Sequence, residues 1–252
     1  MKNKSKMKVA FIPARSGSKR ITNKNIFKIN EHPLIAFAIT SALNSKLFDK
    51  VICSTDSEEY AEIASYYGAE VPFLRNKSIS DDHSPDIEWV KEMLTWYANN
   101  DFNITIFSIL RPTSPFRKSI NIIEAFEKLN NSNGAESIRA VEKVKQHPGK
   151  MWVINNDFMN PLMPFKINNT PWHSNQTNIL PEVFVQNASL EISYSKNVFL
   201  KNSISGDVII PYFSKELEGF DINNPEDIIL LEHFVSKNND LLEHINLKPF
   251  KK

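Results

Sequence analysis

Along the first half of the chain, unbroken apolar runs alternate with stretches whose apolar positions recur every three or four residues. Short unbroken runs are the mark of buried strands, and the three-to-four spacing marks amphipathic helices. Residues 8–13 (KVAFIP), 50–55 (KVICST) and 103–110 (NITIFSIL) are predicted strands, and residues 33–46, 57–68, 84–100 and 118–130 are predicted helices. The helix ends carry matching punctuation: Pro33 in a first turn, Ser57 as a cap before acidic residues, and Gly68 as a stop. This alternation predicts a parallel sheet with helices on both faces, so that ligands meet the loops at the carboxyl ends of the strands.

After residue 134 the pattern shortens to β-like pieces (ESIRAVEKV, KMWVI, VFVQNASLEISY, DVIIPYF), and residues 224–237 return to a helix. Residues 160–181 are polar and proline-bearing, which reads as an irregular arm or lid. The organisation expected is one domain over residues 1–252, with residues 134–215 including a protruding arm.

Composition narrows the partners. Thirty lysines and arginines nearly balance 29 aspartates and glutamates, so no global field draws in nucleic acid or an anionic membrane, and any cationic site must be local. The single cysteine, Cys53, excludes an intrachain disulfide and fits a reducing cytoplasm. The basic opening MKNKSKMK precedes only a short apolar strand, so neither a signal peptide nor a membrane anchor is expected, and Met7 is a second candidate start.

The loop after the first strand, ARSGSKRITNKN, gathers Arg15, Lys19, Arg20 and Lys24 among small polar residues. Loop N–H groups and cationic side chains can converge on phosphate oxygens; a solvated basic turn has the same composition. With Gly17 alone, the loop is neither a P-loop nor a dinucleotide fingerprint.

This loop resembles the signature of the sugar-acid cytidylyltransferases, the CMP-sialate synthetase family, at Ala14, Arg15, Ser18, Lys19, Lys24 and Asn25. The resemblance continues in order along nearly the whole chain. VICSTDSEEYAEIASYYGAEV is similar to the family's second strand, turn and helix, with Asp56 as either a functional group or a turn residue. FLRNKSISDDHSPDIEWV is similar to the segment that frames the pyrimidine, with Arg75 and Ser84 in place and Asp82 beside them. LRPTSPFR is close to the family's L-Q-P-T-S-P-L-R and offers Thr113 and Ser114, with Arg111 where glutamine is common. GFDINNPEDI resembles a magnesium-binding D-x-D motif in which Asp221 matches the first aspartate and Asn223 stands at the second, while the residues from Asn224 to Asp227 read as a helix cap. Towards the acceptor, HPGK nominates Lys150 with His147 as a structural neighbour. LPEVFVQNASLEI nominates Asn187 and Glu191, with Ala188 for a glycine and Glu191 where sialate enzymes tend to carry tyrosine. No arginine follows residue 140, so Lys166, His173 and Gln176 join the candidates for reading a sugar acid.

The resemblance implies an α/β fold with a three-layer, Rossmann-like, mainly parallel sheet of the nucleotide-diphospho-sugar transferase type and a small β-rich arm. It implies transfer of CMP from CTP to the anomeric hydroxyl of a keto-sugar acid, sialic acid or a related bacterial nonulosonic acid, with Mg2+ as cofactor. Nucleotide contacts would come from Ala14, Arg15, Ser18, Lys19, Lys24, Asn25, Arg75, Ser84, Arg111, Thr113 and Ser114. Arg15, Lys24 and Asp221 would be catalytic, Asp221 and Asn223 would hold the metal, and Lys150, Gln176, Asn187 and Glu191 would bind the acceptor. A metal-bound hydroxyl or an aspartate could act as base. A cytoplasmic homodimer is implied, with the 134–215 arm as acceptor-binding and exchange surface. Two other readings stay open: a sugar-1-phosphate nucleotidyltransferase or glycosyltransferase on the same sheet, and a catalytically silent nucleotide-binding module.

Overall fold

The computed structural model of the protein describes residues 6–81 and 83–251; Asp82 and most of the basic opening lie outside the described residues. In chain order the strands are β1 Lys6–Pro13, β2 Lys28–Ile29, β3 His32–Pro33, β4 Lys50–Ser54, β5 Asn103–Ile109 and β6 Ser137–Lys143. They continue with β7 Trp152–Asn155, β8 Phe158–Pro161, β9 Lys166–Ile167, β10 Thr170–Pro171, β11 Phe184–Tyr194 and β12 Ile209–Phe213. The α-helices are α1 Leu34–Ser45, α2 Glu58–Tyr66, α3 Asp86–Asn99, α4 Ser119–Asn130, α5 Ser195–Lys201 and α6 Pro225–Lys237.

Among the described residues the main sheet has six strands in the order β12-β6-β11-β5-β1-β4. β1 runs parallel to β4 and to β5, and β11 runs antiparallel to β5. Strand alternation explains the layers. Ala10 and Ile12 of β1 join a core with α1, α2 and α4, whereas Val9 and Phe11 point the other way into a core with α3 and Val198 of α5. Both faces of β1 are therefore covered. Phe11 sits 5.9 Å from the Trp89 ring and 5.8 Å from Phe107, and full burial of such a side chain stabilises by about 1.5–3 kcal/mol. A third apolar cluster packs Leu231 and Val235 of α6 against Leu34 and Phe37 of α1, and it includes Phe116 and Ile222.

Local chemistry sets the helix ends. The Ser57 hydroxyl accepts from the Tyr60 N–H at 3.3 Å ahead of Glu58 and Glu59, and Gly68 supplies φ 97° just after α2. At α6 the Asp227 carboxylate accepts from the N–H groups of Asn223 and Asn224 at 2.7 and 2.8 Å. NNPED is thus a cap, as expected, and the same carboxylate fixes the backbone at Asn223.

The chain divides into two compact units, one of the described residues up to Ala140 together with those from Asn187 onward, the other Val141–Gln186. The stretch 134–215 is consequently not all arm, because β6, β11 and β12 are strands of the main sheet. α5, which directly follows β11, is not foreseen in the sequence reading. Within the second unit β7 and β8 form an antiparallel hairpin, and Trp172 packs between His147 and Phe165 with ring centroids 5.8 and 5.0 Å away. Ile154, Phe158 and Met159 of the hairpin are exposed. Among the described residues no helix is long and apolar enough to cross a membrane.

Candidate active site

Beyond the carboxyl ends of β1 and β5 the first unit carries a cleft of about 580 Å³. Arg15, Lys19, Arg20, Lys24, Arg75 and Arg111 line it against three carboxylates, those of Asp81, Asp86 and Asp221. In a chain of formal net charge +1, this concentrates positive charge at one place and suits an anionic ligand.

The basic loop is held from behind. The Ser16 N–H and hydroxyl donate to the two oxygens of Asp56 at 2.8 and 3.1 Å, and the buried Asn25 amide donates to the Arg15 carbonyl at 3.0 Å. Asp56 therefore serves as an anchor of the turn. Lys24 Nζ donates to the Ile222 carbonyl at 2.9 Å, and the Ile222 N–H donates to the Thr113 carbonyl at 2.9 Å. Three motifs that lie far apart in sequence thereby meet at one residue. Burial pulls the Lys24 ammonium below its ordinary value, Asp221 pushes it back up, and Arg20 and Arg15 lower it further. An anion entering here would favour the charged form.

Asp221 and Asn223 both line the cleft, and Asn223 Nδ2 donates to Asp221 Oδ2 at 2.8 Å. Asp221 Oδ1 is buried without a hydrogen-bond partner. Among the described residues no group of three or more His, Cys, Asp or Glu side chains forms an all-protein cage. One orphaned carboxylate oxygen beside an amide fits a hard cation that draws its other ligands from water and substrate phosphates, which is how magnesium is usually held.

The opposite wall is built on Arg75 and Arg111. Arg75 is buried, donates to Ser54 Oγ at 3.0 Å and to the Ser54 carbonyl at 2.9 Å, and stands 4.9 Å over the Trp89 ring. Burial brings its pKa down to about 10. Trp89 Nε1 donates to Asp86 Oδ1 at 2.8 Å, and Asp86 Oδ2 pairs with Arg111. Arg111 also donates to Glu191 Oε1 at 2.6 Å, and Arg139 meets Glu191 Oε2 at 2.9 Å. Burial alone would lower the Arg111 pKa, but the charges of Glu191 and Asp86 outweigh it and hold the pKa above its ordinary value. Nearby, Ser84 donates through its N–H and hydroxyl to Asp81 Oδ1 at 2.8 and 3.0 Å. The His83 N–H first, then the Ser84 hydroxyl, hold the Asp81 carboxyl below its ordinary value.

Of the expected nucleotide residues, Arg15, Ser18, Lys19, Lys24, Asn25, Arg75, Ser84, Arg111 and Thr113 line this cleft with Asp221 and Asn223. Ala14 and Ser114 do not; both are buried, and Ser114 Oγ has no partner. Two residues expected at the acceptor end have partners within the protein. Asn187 is bonded to Ser214 at 2.9 Å and to the Ser189 hydroxyl at 2.8 Å, and Glu191 is buried with both oxygens paired to arginines. Lys150 and Gln176 belong to the second unit, where Lys150 Nζ donates to the carbonyls of His173 and Asn175. His147 is structural, accepting from the Gly149 N–H at 2.9 Å and lying 3.0 Å from the Pro181 carbonyl. Sequence reasoning missed Asp81, Asp86, Trp89 and Ala188 in the cleft wall. An acidic residue opening a predicted helix, three positions before a tryptophan, was the available signal for Asp86.

A family model described as Cytidylyltransferase matches residues 9–160. The chain is 31% identical over 236 residues to a CMP-N,N'-diacetyllegionaminic acid synthase of Legionella pneumophila, covering 93% of this chain and 98% of that protein. It is 45% identical over 117 residues to an N-acylneuraminate cytidylyltransferase of Escherichia coli, which is 46% of this chain but 27% of that protein. A pseudaminic acid cytidylyltransferase of Campylobacter jejuni matches at 38% over 120 residues, 48% of this chain and 52% of that protein. Among solved structures, a CMP:2-keto-3-deoxy-manno-octonic acid synthetase complexed with CTP superposes with a TM-score of 0.64 at 14% identity, covering 92% of this chain and 99% of that one. That likeness concerns the fold alone.

Proposed function

This chain belongs to the cytidylyltransferase family, and from that premise we propose that it transfers CMP from CTP to the anomeric hydroxyl of a nonulosonic acid and releases pyrophosphate. The observation that carries the reading is the junction at Ile222, where Lys24 of the basic loop is bonded beside the Asp221–Asn223 turn in a cation-lined cleft. Phosphoryl chemistry of this kind needs positioning and charge neutralisation more than covalent help. Arg15, Lys19 and Lys24 would grip the triphosphate and stabilise the departing pyrophosphate, while Arg75 and Ser84 would frame the pyrimidine. Asp221 and Asn223 would hold magnesium, which when bound neutralises phosphate charge. A metal-bound hydroxyl or an aspartate would take up the hydroxyl proton.

The acceptor is an inference from relatives, and a relative aligned over nearly its whole length is named for diacetyllegionaminic acid. Homodimer formation through the exposed apolar hairpin β7–β8, and a cytoplasmic location, belong to the same proposal. The test is a pyrophosphate-release screen with CTP, magnesium and three acids: N-acetylneuraminic, N,N'-diacetyllegionaminic and pseudaminic. Pyrophosphate that appears only when one acid is added is the expected result. Release that instead requires a sugar 1-phosphate, or no release with any acid, would overturn it.

A further inference from the structure

Away from the cleft, the segment that follows α6 returns to the end of α2, where two tyrosines fasten it. Tyr66 Oη donates to the Lys248 carbonyl at 3.0 Å, and the Phe250 N–H donates to Tyr67 Oη at 3.2 Å. The Phe250 ring lies 5.3 Å from that of Tyr66 and packs on the core shared by α1, α2 and α4. Tyr67 is buried, and the second partner of its hydroxyl is His32 Nδ1 of β3, 2.9 Å away. One phenol thus bridges the returning segment to the β2–β3 hairpin, which follows the Lys24–Ile26 turn of the basic loop.

The bridge fixes where the hydrogens lie. Tyr67 Oη accepts from Phe250, and its own hydrogen, buried with it, needs an acceptor, which His32 Nδ1 supplies. The imidazole is therefore neutral, with its hydrogen on Nε2. Burial holds the His32 pKa below its ordinary value of 6.5, with Glu31 pulling it back up, and burial raises that of Tyr67, so the phenol keeps the hydrogen it donates. A proton on Nδ1 would turn the acceptor into a donor and leave the Tyr67 hydrogen buried without a partner. Glu31 is the carboxylate that offsets a charge on His32, and α1 presents only the Phe37 ring, 6.3 Å away. The returning segment carries Lys248 and Lys251 around Phe250; further back stand the exposed His244 and Glu243, whose carboxylate is bonded to Asn44 and Ser119. We propose that the Tyr67–His32 pair is a pH-sensitive latch, which holds residues 248–250 against the end of α2 at neutral pH and releases them when His32 takes up a proton. Because the folded-state pKa is depressed, the holding is complete above pH 6.5 and is lost as pH falls through the lowered His32 value.

NMR from about pH 5 to about pH 8 decides it, reading the His32 ring protons and the exchange protection factor of the Phe250 amide, which corrects for the pH dependence of intrinsic exchange. In the unmodified chain the Phe250 protection is expected to fall about tenfold in acid, the scale of one neutral hydrogen bond, with a midpoint that coincides with the His32 titration. His32→Asn keeps an acceptor near the Nδ1 position but takes up no proton, so its Phe250 protection should stay flat across the range. Tyr67→Phe keeps the ring and loses the bridge, so protection should sit about tenfold lower at every pH. His244→Gln should leave the midpoint where it is. Phe250 protection that ignores the His32 titration, that follows His244, or that still falls in His32→Asn would overturn the proposal. If either bridge variant loses its cooperative melting transition, agreement or disagreement of the two midpoints in the unmodified chain decides alone.

Discussion

At the Lys24 end of the cleft, a lysine is bonded to a backbone carbonyl; at the Arg111 end, a guanidinium is matched by two carboxylates. Lys24 is bonded to a peptide carbonyl and loses proton affinity through burial, with Asp221 only partly restoring it. Arg111 meets Asp86 and Glu191, which raise its proton affinity despite burial. A site that must receive a polyanion keeps its cations short of counter-charges, whereas one that reads shape compensates them. A cationic side chain therefore signals different chemistry according to its partners.

The largest expected effect falls at the Lys24 end. Lys24→Ala should lower kcat/KM for CTP by about a hundred- to a thousand-fold, while the melting profile stays cooperative. Lys24→Arg sharpens the point through pH. Burial lowers the Lys24 pKa below 10.5, so its charge, and with it the grip on phosphate, is lost as pH rises through that lowered value. Arginine stays protonated, so the alkaline limb of the pH profile should move to higher pH in this variant. Identical alkaline limbs would break the comparison.

An intermediate effect is expected at the metal turn. Asn223→Asp supplies a second carboxylate beside Asp221, and the magnesium concentration for half-maximal activity should fall about three- to tenfold. A magnesium titration at saturating CTP measures it. The smallest kinetic effect belongs to Asn187. Its amide is spent within the sheet, so Asn187→Ala should cost about 1–3 kcal/mol in urea unfolding and leave both substrate KM values unchanged.

Much of this was legible because it is local. β1, β4 and β5 announce themselves as apolar runs because both faces of these strands are buried, and α2 is bounded by the cap and the glycine visible in its sequence. The cation loop was legible for a similar reason, since consecutive residues carry it. Whether a residue faces the cleft was not. Ser114 sits in a motif full of polar groups yet is buried, and Asn187 faces Ser214 rather than a ligand. The Arg111 clamp needs a register between strands 80 residues apart together with the first residue of α3, which no window along the chain contains. The hairpin partner of β7 was equally obscure, because Phe158–Pro161 is too short for alternation to register.

The junction at Ile222 also sets a clock on synthesis. Domains emerge and fold from the amino terminus while translation proceeds at about 5–20 residues per second. The basic loop and the Thr113 turn leave the ribosome long before the residue that joins them. A nascent chain can complete its first strands and helices and still lack a seat for Lys24, which arrives only with Ile222, 198 residues later.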